Sequence, residues 1–245
     1  MSGHNKWSKI KNQKGATDQA RGQLFTKLGN AITIAVTEGG GGNPDFNMKL
    51  RFVIEKARAA NMPSGNIKRA IDRAVNRGKD EAGLESVVYE GFGPAGVAVL
   101  AEGLTDNKQR TASMIKNVFN TGGGTLGGSG SVSYLFEQVG AITIAKNNLS
   151  EDDILSLTLE IGAQDYEIGD TEVIIYTLHS DLHLVSTRLA KKQLIPTTHE
   201  LIFRPKLPVS IDQASSSKIV NLLHALDELD DIQYVYTNAQ FQTET

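Results

Sequence analysis

Arg69, Arg73 and Arg77 recur at four-residue spacing in a segment whose apolar residues Ile67, Ala70, Ile71, Ala74 and Val75 fall at helical intervals. At about 100° per residue the arginines form a basic ridge facing away from the apolar stripe, with Lys68 offset to one side. Such a ridge suits the phosphates of a polyanion. A solvated helix face has the same pattern, because Lys and Arg usually lie outside. The N-terminal arm favours the first reading. Lys6, Lys9, Lys11 and Lys14 surround Trp7 in a stretch with no apolar period, and an indole placed there can stack on bases as readily as it can pack against a helix. Arg21, at the start of the next segment, completes the candidate nucleic-acid-binding set.

Other constellations carry less chemistry. Gly91, Gly93 and Gly96 match a dinucleotide fingerprint, but Val97-Ala98-Val99-Leu100 follows as a strand, and pyrophosphate binding requires a helix N-terminus there. The spacing therefore predicts a hairpin turn. Gly122 to Gly130 lacks the Gly-Lys-Ser/Thr ending of a phosphate loop and follows its helix, so it reads as a mobile loop with a lesser chance of touching a phosphate backbone. His179 and His183 are four apart, but no third ligand accompanies them, so they read as surface histidines. The cluster Asp227, Glu228, Asp230 and Asp231 reads as a solvated face. No nucleophile elbow occurs, no cofactor is implied, and a non-enzymatic protein is expected.

The 245 residues suggest two or three domains, and the 40% hydrophobic and 22% charged composition is that of a folding chain. The chain has 0 cysteines, which removes disulfides and thiolate chemistry and suits the cytoplasm. The lysine-dotted start has no apolar run after it, so no secretory signal is read, and no apolar stretch approaches the roughly 20 residues of a membrane span. The formal net charge of -3 hides an asymmetry: Met1 to Lys79 holds 15 Lys+Arg against 5 Asp+Glu, and the remainder holds 10 against 23. A basic head on an acidic body suggests that the head meets a polyanion while the body repels it.

The elements that position these residues follow from periodicity. Ala20, Leu24, Leu28, Ala31 and Ala35 predict a first helix that stops at the glycines after Glu38. Asn43 as cap with Pro44 opens a second, and Ser64 caps a third that stops at Gly78. From Leu84 the period changes. Strands over Ser86–Glu90 and Val97–Ala101, a helix from Asp106 and a strand over Val132–Phe136 give β-β-α-β. The α-β that completes it comes only at the end, as a helix over Ser217–Leu229 and a strand over Gln233–Tyr236. Between them lies a βαββαβ unit from Ala141 to Arg204. The expected fold is α+β with three domains, an N-terminal helical domain and two ferredoxin-like α+β domains, the third inserted into the second. The boundaries are 1–79, 80–137 with 206–245, and 138–205.

The chain resembles the YebC-type family of probable transcriptional regulatory proteins, which has mitochondrial relatives described as translational activators of cytochrome oxidase. The resemblance rests on Gly3-His4-Asn5-Lys6-Trp7, RGQLFTKL from Arg21, KARAANMPSGNIKRAI from Lys56, YEGFGPAGVAVL from Tyr89 and DNKQRTASMIKNVFNTGGGTLGGSGSVSYLFE from Asp106. Asn5 departs from a usual serine, and Asn12-Gln13 replace a commonly basic pair, which leaves the arm less charged. The family has no catalytic set to carry over. The resemblance implies a nucleic-acid partner, either DNA for a transcriptional regulator or ribosomal RNA for a ribosome-associated translation factor, and no membrane.

Overall fold

The computed structural model describes residues 18–76 and 83–241. Three helices come first: α1 (Asp18–Glu38), α2 (Met48–Ala59) and α3 (Ser64–Val75). They close on one core of Leu28, Ile32, Ala35 and Val36 from α1, Leu50, Ile54 and Ala57 from α2, and Ile67 and Ala74 from α3. Of the expected stripe on α1, Leu28 and Ala35 are in this core, and the buried set is centred further round the helix toward Ile32 and Val36. Leu24 is 43% exposed, while Ala31 and Ile34 line a hollow beneath α2. The apolar residues of α1 form one arc wider than the part the head core covers, so periodicity alone could not say which edge of it is buried.

Asn47, and neither Asn43 nor Pro44, starts α2. Its buried amide accepts from the Leu50 N–H at 3.0 Å and donates to the carbonyls of Ala35 at 2.7 Å and Gly41 at 2.8 Å. One side chain thus joins the open end of α1, the glycine turn and the first turn of α2. The turn needs its glycines: Gly40 and Gly41 have φ of 92° and 120°, and a Cβ on Gly39 would lie 2.2 Å from the Asn47 oxygen. Asn43 instead makes a local turn, accepting from the Asp45 N–H at 2.9 Å. Ser64 is the first residue of α3 and caps nothing, Pro63 being the residue before it.

The body has four layers. A sheet in the order β3-β1-β2-β9 is built from β1 (Glu85–Phe92), β2 (Ala98–Thr105), β3 (Thr125–Leu126) and β9 (Ile232–Thr237). Helices α4 (Lys108–Thr121) and α7 (Gln213–Asp227) cover one face through Ile115, Phe119, Ile219, Leu222, Leu223 and Leu226. The other face packs Ala98, Leu100 and Tyr236 against Phe136, Val139, Ala141, Tyr176 and Ile202 of a second sheet. That sheet has the order β5-β6-β4-β7, from β4 (Phe136–Ala145), β5 (Asp165–Ile168), β6 (Glu172–Leu178) and β7 (Thr198–Pro205), and is antiparallel throughout. Helices α5 (Glu151–Ile161) and α6 (Leu182–Lys191) close its far side. In chain order it is βαββαβ, inserted between β3 and the return through β8 (Val209–Ser210), α7, β9 and β10 (Ala239–Gln240), where β8 and β10 pair in parallel.

Pro94–Gly96 forms a 3-10 turn between β1 and β2, with φ of 58° at Ala95 and 71° at Gly96. The dinucleotide-like glycines therefore make a hairpin, as expected. The expected strand over Val132–Phe136 does not form: Ser133–Leu135 is a 3-10 turn, and Phe136 begins β4 in the other sheet. The cause is Glu90, whose carboxylate takes the N–H groups of Gly130, Val132 and Ser133 at 2.8 Å each. Those amides have no hydrogen left for a ladder. Among the described residues no helix is long and apolar enough to cross a membrane.

Candidate nucleic-acid interface

Burial of Ile67 and Ala74 fixes the roll of α3 and so the direction of its basic residues. Arg69 and Arg73 are both exposed, but they do not stand opposite the apolar stripe. They form one wall of a groove of about 290 Å³, with Ala70 between them, Phe25, Thr26, Gly29, Asn30 and Thr33 of α1 across from them, and Met62 and Asn66 at one end. The head core closes on Ile67, Ala70, Ile71 and Ala74, so the arginine face is its flank and abuts α1.

Among the described residues no Asp or Glu lines this groove, so none of them supplies a counter-charge within it. Arg69 donates to the Asn66 side-chain oxygen, a neutral partner that orients the guanidinium without cancelling it. Arg73 has no carboxylate within ion-pair distance among the described residues. The hydroxyls of Thr26 and Thr33 donate back to the carbonyls of Gly22 and Gly29, at 3.2 and 3.0 Å. The side-chain donors left to the groove are therefore the two arginines, Asn30 and the Asn66 amide.

The remaining candidates divide. Lys68 is exposed but lies about 100° round α3 from Arg69, away from the groove. Arg21 is exposed one turn before Phe25 on α1, about 6 Å along the axis, and extends the basic strip beyond the groove mouth. Lys6, Trp7, Lys9, Lys11, Lys14 and Arg77 lie outside the described residues, as does the expected stop at Gly78.

Two head lysines that charge counting treated alike have another use. Lys27 Nζ donates to the last-turn carbonyl of Asp227 at 2.5 Å and meets its carboxylate at 3.2 Å, both side chains nearly buried. A cation at the C-terminal end of α7 satisfies open carbonyls and the helix dipole. Gln23 adds a bond to the Glu228 carbonyl at 3.2 Å. Lys56 on α2 reaches Glu200 of β7 at 3.0 Å and the Tyr234 hydroxyl of β9 at 3.1 Å. Partial burial works against its charge, but Tyr234 and Glu200 outweigh that and hold it protonated. Part of the body's acidity thus docks the head. Asp231, read from sequence as a solvated carboxylate, accepts from Thr111 at 2.6 Å and Arg110 at 3.0 Å.

The glycine-rich loop is not free. The Glu90 carboxylate that gathers its amides is only 6% exposed. Burial pushes this carboxyl up, and the N–H groups of Gly130, Val132 and Ser133 outweigh it and hold it below the ordinary carboxylate value. His179 opens a 3-10 turn and His183 lies in α6 beyond it. No group of three or more His, Cys, Asp or Glu side chains among the described residues is placed to hold a metal ion.

A basic three-helix head docked on an acidic, four-layered α+β body is the class of protein these features define. The TACO1/YebC protein N-terminal domain matches residues 5–77, and the TACO1/YebC second and third domain matches residues 84–239. The chain belongs to the TACO1/YebC family. It is 45% identical over 247 residues to a protein of Roseiflexus castenholzii, covering 100% of this chain and 97% of that one, and 46% identical over 239 residues to one of Finegoldia magna, covering 97% and 98%. Both relatives are named "Probable transcriptional regulatory protein". A crystal structure of a conserved hypothetical protein from Aquifex aeolicus superposes with a TM-score of 0.83 at 42% identity, over 91% of this chain and 92% of that one.

Proposed function

We propose that this chain is a cytoplasmic, non-catalytic regulator of gene expression that binds nucleic acid, most simply DNA, through its helical head. The observation that carries this reading is the pair Arg69 and Arg73, exposed on one groove with no carboxylate in it. Lys27 and Lys56 are used in docking and Lys49 pairs with Glu38, whereas Arg69 and Arg73 meet no carboxylate among the described residues, and phosphate contacts are their natural use. Arg21 and Lys68 add contacts on either side, and Lys6, Trp7, Lys9, Lys11, Lys14 and Arg77 belong to the same interface. The relatives' name favours transcription. RNA as the target would place the chain in translation at the ribosome.

The units act as domains with boundaries at 1–79, 80–137 with 206–245, and 138–205. Limited proteolysis should cut first between Arg77 and Leu84, where neither apolar pattern continues; a fragment resisting cleavage across that stretch would refute the first boundary. For binding, the full chain is titrated against duplex DNA and structured RNA of equal length over a series of salt concentrations. Affinity should fall steeply with salt through counterion release, and the polymer bound more tightly decides between transcription and translation. Salt-independent binding, or equal binding by residues 80–245 alone, would overturn the reading.

A further inference from the structure

Phosphate contacts need a basic surface and no cavity, yet Arg69 and Arg73 stand at the mouth of one. Its volume of about 290 Å³ lies just under that of drug-sized ligand pockets, which run from about 300 to 1,000 Å³, and leaves room for one small planar group. Two larger hollows among the described residues flank α2, and each mixes carboxylate with cation, Glu102 with Lys49 in one and Glu55 and Glu200 with Lys56 in the other. The α1/α3 groove is lined by two arginines and by no described carboxylate, and so suits a polyanion better.

Three features of the groove suit a planar, hydrogen-bonding ligand attached to phosphate. Phe25, half-buried in one wall, offers an aromatic surface. Asn30, partly buried in the same wall, makes no side-chain hydrogen bond with any described residue, so its amide still has a donor and an acceptor for a base edge. Gly29 lies in the middle of α1, where glycine costs about 0.5–1 kcal/mol relative to alanine. A Cβ added there would meet nothing within 4 Å. No contact with a described residue requires this glycine, which leaves the groove floor between Phe25 and Asn30 without a side chain.

We propose that the groove between α1 and α3 takes one unpaired nucleotide of a bound strand, with the base between Phe25 and Asn30 and its flanking phosphates on Arg69 and Arg73. Asn66, by holding the Arg69 guanidinium, sets the phosphate position relative to the base. The inference rests on the nucleic-acid reading above and adds that the preferred partner carries an unstacked base. Fully paired duplex then binds through the arginines alone.

The test uses the full chain and two fluorescent duplexes of one sequence, one perfectly paired and one with a single bulged nucleotide, compared by anisotropy. The bulged duplex should bind roughly tenfold more tightly, the order of one base stacked on an aromatic side chain. Gly29→Leu, which fills the floor and removes no charge, should abolish that preference and leave the paired duplex within about twofold of its original affinity. Asn30→Leu should reduce the preference in the same way and serves if Gly29→Leu melts early. Equal binding of the two duplexes by the unaltered chain overturns the inference while leaving the phosphate reading standing, as does a preference that survives both substitutions. Binding to neither duplex overturns both.

Discussion

In the head, Arg69 and Arg73 reach the surface beside the Asn66 amide oxygen and, among the described residues, no carboxylate. In the body, the amides of Gly130, Val132 and Ser133 converge on Glu90, an anion supplied by the chain itself. Both arrays are of the kind that binds phosphate, one through guanidinium forks and the other through a nest of backbone N–H groups. They differ in whether the counter-charge comes from inside. A phosphate approaching the glycine loop would have to displace a buried carboxylate holding three charge-assisted bonds, whereas no described carboxylate stands on Arg69 or Arg73.

Replacing the internal anion tests that contrast most strongly. Glu90→Gln turns an amide donor toward backbone N–H groups and weakens bonds worth about 1.5–3 kcal/mol each to a charged acceptor, so stability at neutral pH should fall by roughly 3 kcal/mol in urea unfolding. Nucleic-acid affinity should not change. Because the folded carboxyl is held below its ordinary value of 4.5, its contribution is complete above that pH and is lost as pH falls through the lower folded value. The stability curves of the two proteins should therefore converge on acidification. A difference under about 0.5 kcal/mol at pH 7 would mean that the loop stands without its anion.

The opposite operation is to remove charge that meets no carboxylate among the described residues. Arg69→Ala with Arg73→Ala should lower affinity about tenfold at moderate salt and reduce the log-log salt dependence by about two. Unfolding free energy should stay within about 0.5 kcal/mol, since both residues are exposed and alanine favours helix. Unchanged binding with an intact helical spectrum would move the interface off this groove.

What the sequence revealed and what it withheld follow the same division between local and non-local chemistry. The three helices, the hairpin at Gly93–Gly96 and the inserted βαββαβ unit were legible because periodicity and glycine punctuation are local signals. The roll of α1 was legible only in part: Leu28 and Ala35 of the expected stripe are buried, but Leu24 and Ile32 lie toward opposite edges of one wide apolar arc and only the partners decide which edge is covered. Asn43-Pro44 carried the stronger local cap signal, but Asn47 is the residue that can reach the open carbonyl of Ala35 on another helix. Glu90 looked like any strand glutamate, and its loop is about 40 residues away in sequence. Within the site, charge and spacing exposed the arginine wall. The facing wall, Phe25 and Asn30, is uncharged and belongs to another helix, so no counting could bring it in. Lys27 sat unremarked in an apolar helix, although a cation there is itself a hint of a buried partner.

Lys68 gives the smallest expected effect and decides the direction of approach. It belonged with Arg69 and Arg73 in the sequence reading, is equally exposed, and lies next to Arg69 in the chain. Adjacent residues on a helix nevertheless diverge by about 100°, and Lys68 diverges away from α1. A strand lying along the groove would pass Lys68 at a distance where salt screens most of its charge, roughly 10 Å at 0.1 M. Lys68→Ala should therefore change affinity less than twofold and the salt dependence by well under one, and less than Arg73→Ala alone does in the same titration. If Lys68→Ala weakens binding as much as Arg73→Ala, the phosphates run across the outer face of α3, and the groove lies to one side of their path. If it does not, two cations in one helix, indistinguishable by composition, are separated in function by the packing of Ile67 and Ala74 that turns one of them toward α1.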